Sequence, residues 1–225
     1  MGGSVKKICF SLVVLLLLTP IGCTASRTVK NNFFESSSPQ MSIRVAQEFT
    51  YYKSINSVEY HRSLRGDRKL KSEVERYYFF AIDPNRNHMI LKSVVLGIRE
   101  SEGILAGDLF TRDKDLEHGV ETLSEENYEF STMLGSPHLP KSIAKALKAA
   151  GHILPRCLLV KQYKRIPLEN RKQLRFIDYW EDITASGYAC NTWKDAASLV
   201  DAQKEYLKGF NKRASEAFTI MPAPK

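Results

Sequence analysis

The sequence has few of the residues that break, bend or cross-link a chain. Its 225 residues include 12 glycines, 9 prolines and 4 cysteines, so a collagen-like or mucin-like protein is excluded. A hydrophobic share of 43% also excludes a wholly disordered chain, because there is enough apolar surface to offset the entropy cost of folding. Only one long hydrophobic run occurs, at residues 8–18, which excludes a polytopic membrane protein.

The sequence also lacks the short motifs of common catalytic and ligand sites. It contains no GxSxG, no phosphate-binding GxxxxGK, no GxGxxG and no zinc-binding HExxH, and its five histidines are scattered. We therefore assign no catalytic, cofactor-binding or metal-binding residue from the sequence, and we expect no cofactor.

Carboxylates beside aromatic residues at 178–182 raise the question of a sugar site. Asp178, Glu181 and Asp182 flank Tyr179 and Trp180, a composition that occurs in glycosidases. The same segment alternates as a strand does, which predicts that Asp178 and Trp180 share one face while Tyr179 lies on the other. A strand with a polar rim is the favoured interpretation.

The first 23 residues carry a targeting signal. Lys6 and Lys7 precede the apolar run 8–18, which is the layout of a secretory signal peptide covering residues 1–22. The segment Pro20-Ile21-Gly22-Cys23 resembles the lipobox of bacterial lipoprotein precursors, in which cleavage leaves a diacylglyceryl cysteine at the N-terminus. This resemblance implies that Cys23 is lipidated and that the protein is anchored in the bacterial cell envelope. Since residues 24–26 contain no aspartate, it also implies the outer membrane. An ordinary signal peptide cleaved nearby is the alternative.

Two cysteines, Cys157 and Cys190, remain in the body of the chain once the leader is removed and Cys23 is lipidated. An even pair in an exported protein favours a disulfide, and two buried free thiols are the alternative. A metal site is not expected, because neither cysteine has a second Cys or His at ligand spacing.

The mature chain is expected to contain a polar tether and one α+β domain. The lipidated cysteine and tether would span residues 23–40, and the domain residues 41–225. Aromatic and β-branched runs predict strands, at 43–52, 56–62, 73–82, 89–99, 104–111, 157–163 and 172–183. Residues 113–130 are compatible with a helix or with an irregular insertion.

Helices are predicted at 140–150 and, as a long C-terminal element, at 192–218. The apolar stripe of the long helix is expected to pack against the sheet, through Trp193, Ala197, Val200, Leu207 and Phe210. The predicted fold is an antiparallel β-sheet packed by this helix and by one or two shorter ones.

A basic surface limits the partners that the protein can attract. The net charge is +8, and it falls to +6 when residues 1–22 leave with their two lysines. Basic residues cluster in three places, at 62–71, 141–148 and 161–175. In the envelope, the expected partners are the membrane through the lipid, a protein, or an acidic envelope polymer, and not nucleic acid. We expect a non-enzymatic binding, scaffold or accessory protein. The alternative is a hydrolase that acts on cell-wall or polysaccharide material.

Overall fold

The computed structural model describes residues 25–62, 69–86, 88–105, 115–135, 139–193 and 196–222, without the side chains of Arg62 and Ala185. Eleven strands in this part of the chain form two antiparallel sheets. The strands are β1 (Arg27–Lys30), β2 (Phe33–Ser37), β3 (Gln40–Val45), β4 (Thr50–Arg62), β5 (Lys69–Asp83), β6 (Met89–Ser101), β7 (Asp115–Leu123), β8 (Glu126–Gly135), β9 (Leu158–Arg165), β10 (Gln173–Asp182) and β11 (Phe218–Met221). Two α-helices are described, α1 (Lys141–Ala149) and α2 (Asp201–Glu216).

The four-stranded sheet has the order β1-β2-β3-β11, and the seven-stranded sheet has the order β4-β5-β6-β10-β9-β8-β7. The prediction of an α+β fold, with one sheet packed by a long helix, is therefore wrong. The described fold is mainly β, because two stretches that were not predicted as strands form hairpins.

Both unexpected hairpins turn on two residues with positive φ. Asn31 and Asn32 (φ 50° and 59°) join β1 to β2, and Ser124 and Glu125 (φ 49° and 69°) join β7 to β8. Positive φ at both central residues matches the turn to the right-handed twist of the flanking strands. As a result, residues 27–37 belong to the four-stranded sheet, although the sequence analysis expects a tether there.

The seven-stranded sheet has two differently covered faces. Its inner face packs on the four-stranded sheet and on α2, and Tyr77, Leu96 and Tyr179 belong to this core. Its outer face packs on α1 through Ile143 and Leu147. Since the side chains of a strand alternate between faces, β5, β6, β9 and β10 each contribute to both environments.

The C-terminal helix is shorter than the 27 residues expected. It begins after Val200, whose backbone is extended (φ −73°, ψ 162°) and whose N–H donates to the Gln203 side chain. Short 3-10 turns, Cys190–Thr192 and Ala196–Ser198, occupy the expected first turns. The burial of Trp193, Leu207 and Phe210 is confirmed, but Ala197 and Val200, which lie before α2, are exposed.

Several other elements predicted from the sequence are confirmed. The helix at 140–150 is confirmed as α1, and Gly151 ends it with φ +80°. The strands expected at 73–82, 89–99, 157–163 and 172–183 correspond to β5, β6, β9 and β10. Three of the predicted features lie outside the described residues, namely most of the strand at 104–111, the signal peptide and Cys23. Neither described helix has both the length and the apolar character needed to cross a bilayer.

The predicted disulfide is confirmed. Cys157 and Cys190 are joined, with their Cα atoms 5.8 Å apart. Cys157 is buried in the inner core at the start of β9, whereas Cys190 lies on the exposed segment that leads to α2. The bond therefore ties the β9–β10 hairpin to the chain that follows it.

Candidate functional site

A row of charged and polar side chains crosses the outer face of the seven-stranded sheet, between the apolar groups that pack on α1 and those near Leu105. We call it the charged belt. It draws its members from five adjacent strands, namely Glu59 (β4), Arg76 (β5), Arg99 (β6), Asp178 (β10), and Gln162 and Lys164 (β9). These residues meet because the register places them in neighbouring rows on one face.

Asp178 is the most perturbed acid of the belt. Its side chain is 9% exposed, and Oδ1 accepts a 3.2 Å hydrogen bond from Nε2 of Gln162. Burial raises the pKa of Asp178 to about 6, although the positive charges of Lys164 and Arg76 act in the opposite direction. Burial also lowers the pKa of the Lys164 ammonium. A buried acid and a half-buried base with pKa values moved towards neutrality are typical of a functional site.

At the other end of the belt, charges are paired with each other. Arg76 and Arg99 donate to different oxygens of Glu59. Burial alone would raise the pKa of Glu59, but the hydrogen bonds and charges of the two guanidinium groups outweigh burial and lower it. These contacts fix Arg76 beside the ring of Phe176, 5.4 Å from guanidinium carbon to ring centroid.

His61 extends the belt but does not form a catalytic pair. Its Nδ1 lies 3.1 Å from Oγ of Ser72, and its Nε2 lies 3.3 Å from Oγ of Ser101. Burial, and then the charge of Arg99, lowers the pKa of His61. Both serine hydroxyls belong to buried residues, so a substrate carbonyl does not reach them, and we assign the arrangement a structural role.

The belt ends at an open cleft of about 680 Å³ between the β7–β8 turn and the β9–β10 connection. We call it the charged cleft. Its acidic side consists of Glu125, Glu126 and Glu129, and its basic side of Lys164, Arg165 and Arg171, with Asn127, Ile166 and Leu168 completing the lining. Glu129 and Lys164 are direct cross-strand partners, so the two sides meet at the floor. The cleft therefore offers both signs of charge to one ligand.

One carboxylate of the cleft is already shared by two arginines. Arg165 and Arg175 both contact Glu126, the latter at 3.4 Å. Burial, and then the neighbouring charge of Arg175, lowers the pKa of Arg165. Arg175 also lies 3.9 Å from Glu169, so two guanidinium groups and two carboxylates meet at this end of the sheet.

The structure separates the carboxylates that the sequence places side by side. Asp178 lies on the outer face, whereas Glu181 lies on the inner face, so the two do not form a glycosidase pair. Glu181 instead accepts hydrogen bonds from Tyr179, Tyr206 and both Nε and Nη2 of Arg213, and it ties α2 to β10. The predicted facing of Asp178 and Trp180 away from Tyr179 is confirmed.

The histidines are not gathered with these carboxylates. His88 and His152 face each other across 6.2 Å between ring centroids and do not line the cleft, and His138 lies outside the described residues. Within the part of the chain that the structure describes, no three His, Cys, Asp or Glu side chains are arranged to hold a metal ion.

The raised pKa of Asp178 makes a testable prediction about stability. Because the folded state binds this proton more tightly than the unfolded chain does, Asp178 lowers the free energy of unfolding as pH rises through its folded-state pKa of about 6. Asparagine mimics the protonated acid, so Asp178→Asn should stabilise the protein by about 2–3 kcal/mol at pH 8 and by close to nothing at pH 4. Urea unfolding of both proteins at the two pH values measures this difference. An equal difference at both pH values would contradict it.

Comparison with known proteins gives no relative from which a role could be carried over. No family model, no curated protein and no solved structure matches this chain.

Proposed function

We propose that this chain is a lipid-anchored binding protein of the bacterial cell envelope, whose charged cleft binds an acidic envelope polymer. The anchor is Cys23, and the outer membrane is the location that the leader implies. The observation that carries the binding proposal is the pairing of an acidic side with a basic side in one open cleft. Such a site suits a ligand that bears carboxylate and amino groups close together.

Cell-wall peptidoglycan has this chemistry, since its peptide stems carry free carboxylates and amines. A stem carboxylate would be placed by Arg165 and Arg171, and a stem amine by Glu125 and Glu129. Leu168, which is 89% exposed at the edge of the cleft, would add apolar contact. All the charges except Arg171 are held on strands or on the tight β7–β8 turn, which supports binding with little loss of conformational entropy.

Binding of the purified protein to isolated cell-wall sacculi tests the proposal. Arg171 lines the cleft and Lys172 does not, although both are exposed neighbours. A charge-assisted hydrogen bond contributes about 1.5–3 kcal/mol, so Arg171→Ala should weaken binding about tenfold or more, whereas Lys172→Ala should leave it unchanged. Equal binding by the two variants would contradict the cleft assignment, and no binding by the wild type would contradict the ligand.

The same incubation separates binding from hydrolysis. A binding protein leaves the sacculi intact, so the supernatant should contain no more soluble sugar or peptide than a protein-free control. Release of fragments that depends on Arg171 but not on Lys172 would support the alternative, an envelope hydrolase.

The anchor has its own test. Cys23→Ala should abolish incorporation of a labelled fatty acid and shift the protein from the membrane fraction, because the acylated sulfur is lost. Gel fluorescence after feeding cells a clickable fatty acid measures incorporation. Labelling of Cys23→Ala equal to that of the wild type would refute the anchor.

A further inference from the structure

The outward side of α1 carries a row of lysines. Lys141, Lys145 and Lys148 are exposed, and their spacing of four and then three residues places them on one side of the helix. We call these three residues the lysine stripe. Ile143 and Leu147, on the opposite side of α1, are fully buried against the outer face of the seven-stranded sheet. Three positive charges therefore lie within about 10 Å of helix length.

The chain around α1 contains no acid that could neutralise these charges. No aspartate or glutamate occurs between Glu129 and Glu169, a stretch that holds seven lysines and arginines. None of the ion pairs between described residues involves the lysine stripe. On α2, by contrast, three exposed lysines each pair with an acid of the same helix, namely Lys204 with Asp201, Lys208 with Glu205 and Lys212 with Glu216.

The strands beneath α1 add little negative charge beside the lysine stripe. β9 contains no acid, and the three carboxylates of β10 are buried. The glutamates of β4, β5, β6 and β8 lie towards the ends of those strands that are farther from α1. At the nearer end, Asp83 pairs with Arg86 at 3.7 Å, and Glu48 pairs with Lys92 at 3.2 Å. Among the described residues, the surface of α1 is therefore a patch of net positive charge.

The composition of this surface narrows the kind of partner. Residues 139–156 contain no phenylalanine, tyrosine or tryptophan. Protein interfaces are enriched in aromatic residues and depleted of lysine, and single-stranded nucleic acids are held by stacking of their bases on aromatic rings. Helices that lie on a membrane insert their apolar face, but the apolar face of α1 is buried on the sheet. The lysine stripe thus suits a partner that is bound by charge alone.

We infer that the lysine stripe is a docking surface for a flexible, base-free polymer that carries repeated phosphate groups. An ammonium group is a compact point charge that binds phosphate oxygens, whereas carboxylates are matched best by the planar fork of arginine. A flexible polymer can place successive phosphates beside successive lysines, and each contact releases condensed counterions. Binding is therefore expected to weaken steeply as the salt concentration rises.

The lysine stripe is separate from the charged cleft. α1 packs near Leu158 at the start of β9, whereas Arg165 at the end of that strand lines the cleft. Seven residue steps of an extended strand separate the two positions, which is about 23 Å. A substitution at one surface is therefore not expected to change binding at the other.

Binding of a fluorescently labelled, short-chain polyphosphate to the purified full chain in nonionic detergent tests the inference. The triple variant Lys141→Gln, Lys145→Gln, Lys148→Gln should bind at least about tenfold more weakly at low salt. It should also lower the slope of log Kd against log salt by about 2, because each phosphate contact contributes roughly 0.7.

The matched control removes the same charge from the other helix. The triple variant Lys204→Gln, Lys208→Gln, Lys212→Gln should leave Kd within about twofold of the wild type, because phosphates do not contact α2. Glutamine preserves helix propensity, and the urea midpoint of each variant verifies that it is folded. Equal weakening by the two triple variants would show that only net charge matters and would overturn the docking surface. Absence of binding by the wild type, or a larger loss from Arg171→Ala than from the stripe variant, would overturn it too.

Unlabelled competitors of equal total charge test the chemistry of the partner. Polyphosphate should displace the labelled probe at a lower concentration than polyglutamate, a single-stranded oligonucleotide or phosphatidylglycerol vesicles. Displacement by polyglutamate at the same or a lower concentration would overturn the preference for phosphate. The same result with the oligonucleotide or with the vesicles would assign the lysine stripe to nucleic acid or to a membrane, and would also overturn the inference.

Discussion

Phe210→Ala should lower the free energy of unfolding by about 3–5 kcal/mol, because it removes a large aromatic side chain from a packed core. Phe210 is fully buried between α2 and the inner face of the seven-stranded sheet, and its ring centroid lies 5.4 Å from that of Tyr179. The cavity cannot close easily, because the positions of both elements are fixed by other contacts, including the ion pair between Arg213 and Glu181. A domain stabilised by about 5–15 kcal/mol should lose much of its stability.

The matched control is Lys208→Ala on the same helix. The Lys208 side chain is 80% exposed, and its nearest ion pair, with Glu205, spans 3.9 Å. Its replacement should change the free energy of unfolding by less than about 0.5 kcal/mol. Urea unfolding with the disulfide intact gives both values, and a lowered midpoint at an unchanged slope identifies loss of packing. An unchanged midpoint for Phe210→Ala would mean that α2 does not stabilise the sheet.

Cys190→Ser should lower the free energy of unfolding by about 3–4 kcal/mol in the absence of reductant. The disulfide joins residues 33 apart in sequence, and closing a loop of this size restricts the unfolded chain by about that amount in the chain-entropy model. The exposed cysteine is the one to replace, because serine at 190 leaves the buried Cys157 side chain in the core.

Reductant provides the control for this substitution. Dithiothreitol should lower the urea midpoint of the wild type to that of Cys190→Ser, and it should not change the midpoint of the variant. A wild type whose midpoint does not respond to complete reduction would contradict a stabilising role for the bond.

The sequence predicted the strands whose side chains are apolar on both faces, and also most of β4, but it missed the polar edge strand β7. β5, β6 and β10 contain aromatic and β-branched runs, because both of their faces are covered. β7 lies at the edge of the sheet and is half-exposed, so its acidic residues 115–123 gave no strand signal. Asn31-Asn32 was a usable signal for the first hairpin, since asparagine tolerates positive φ, whereas Ser124-Glu125 was not.

The candidate site could not be predicted from the sequence because its residues become neighbours only through strand register. Asp178 was singled out for its aromatic neighbours, but its hydrogen-bond partner Gln162 and the nearby Lys164 lie on another strand. Likewise, Glu126 meets Arg165 and Arg175 only at the end of the sheet. The basic cluster at 161–175 proved to be divided between faces, with Lys161 buried on the inner side beside Glu121.

The position of β1 at the edge of its sheet decides how the protein would respond to mechanical load. A pull applied through the N-terminus enters at Ser26 and acts on a four-residue strand that is bonded on one side only, to β2. Such a strand peels from its partner one hydrogen bond at a time, which requires far less force than shearing all of them together. After the two hydrogen bonds between Ser26 and Ser37, the load must break the bridge from the Arg27 guanidinium to Glu75 and Glu100 on the other sheet. Once β1 has separated, β2 and β3 would detach and extend before the seven-stranded sheet and its cleft were disturbed.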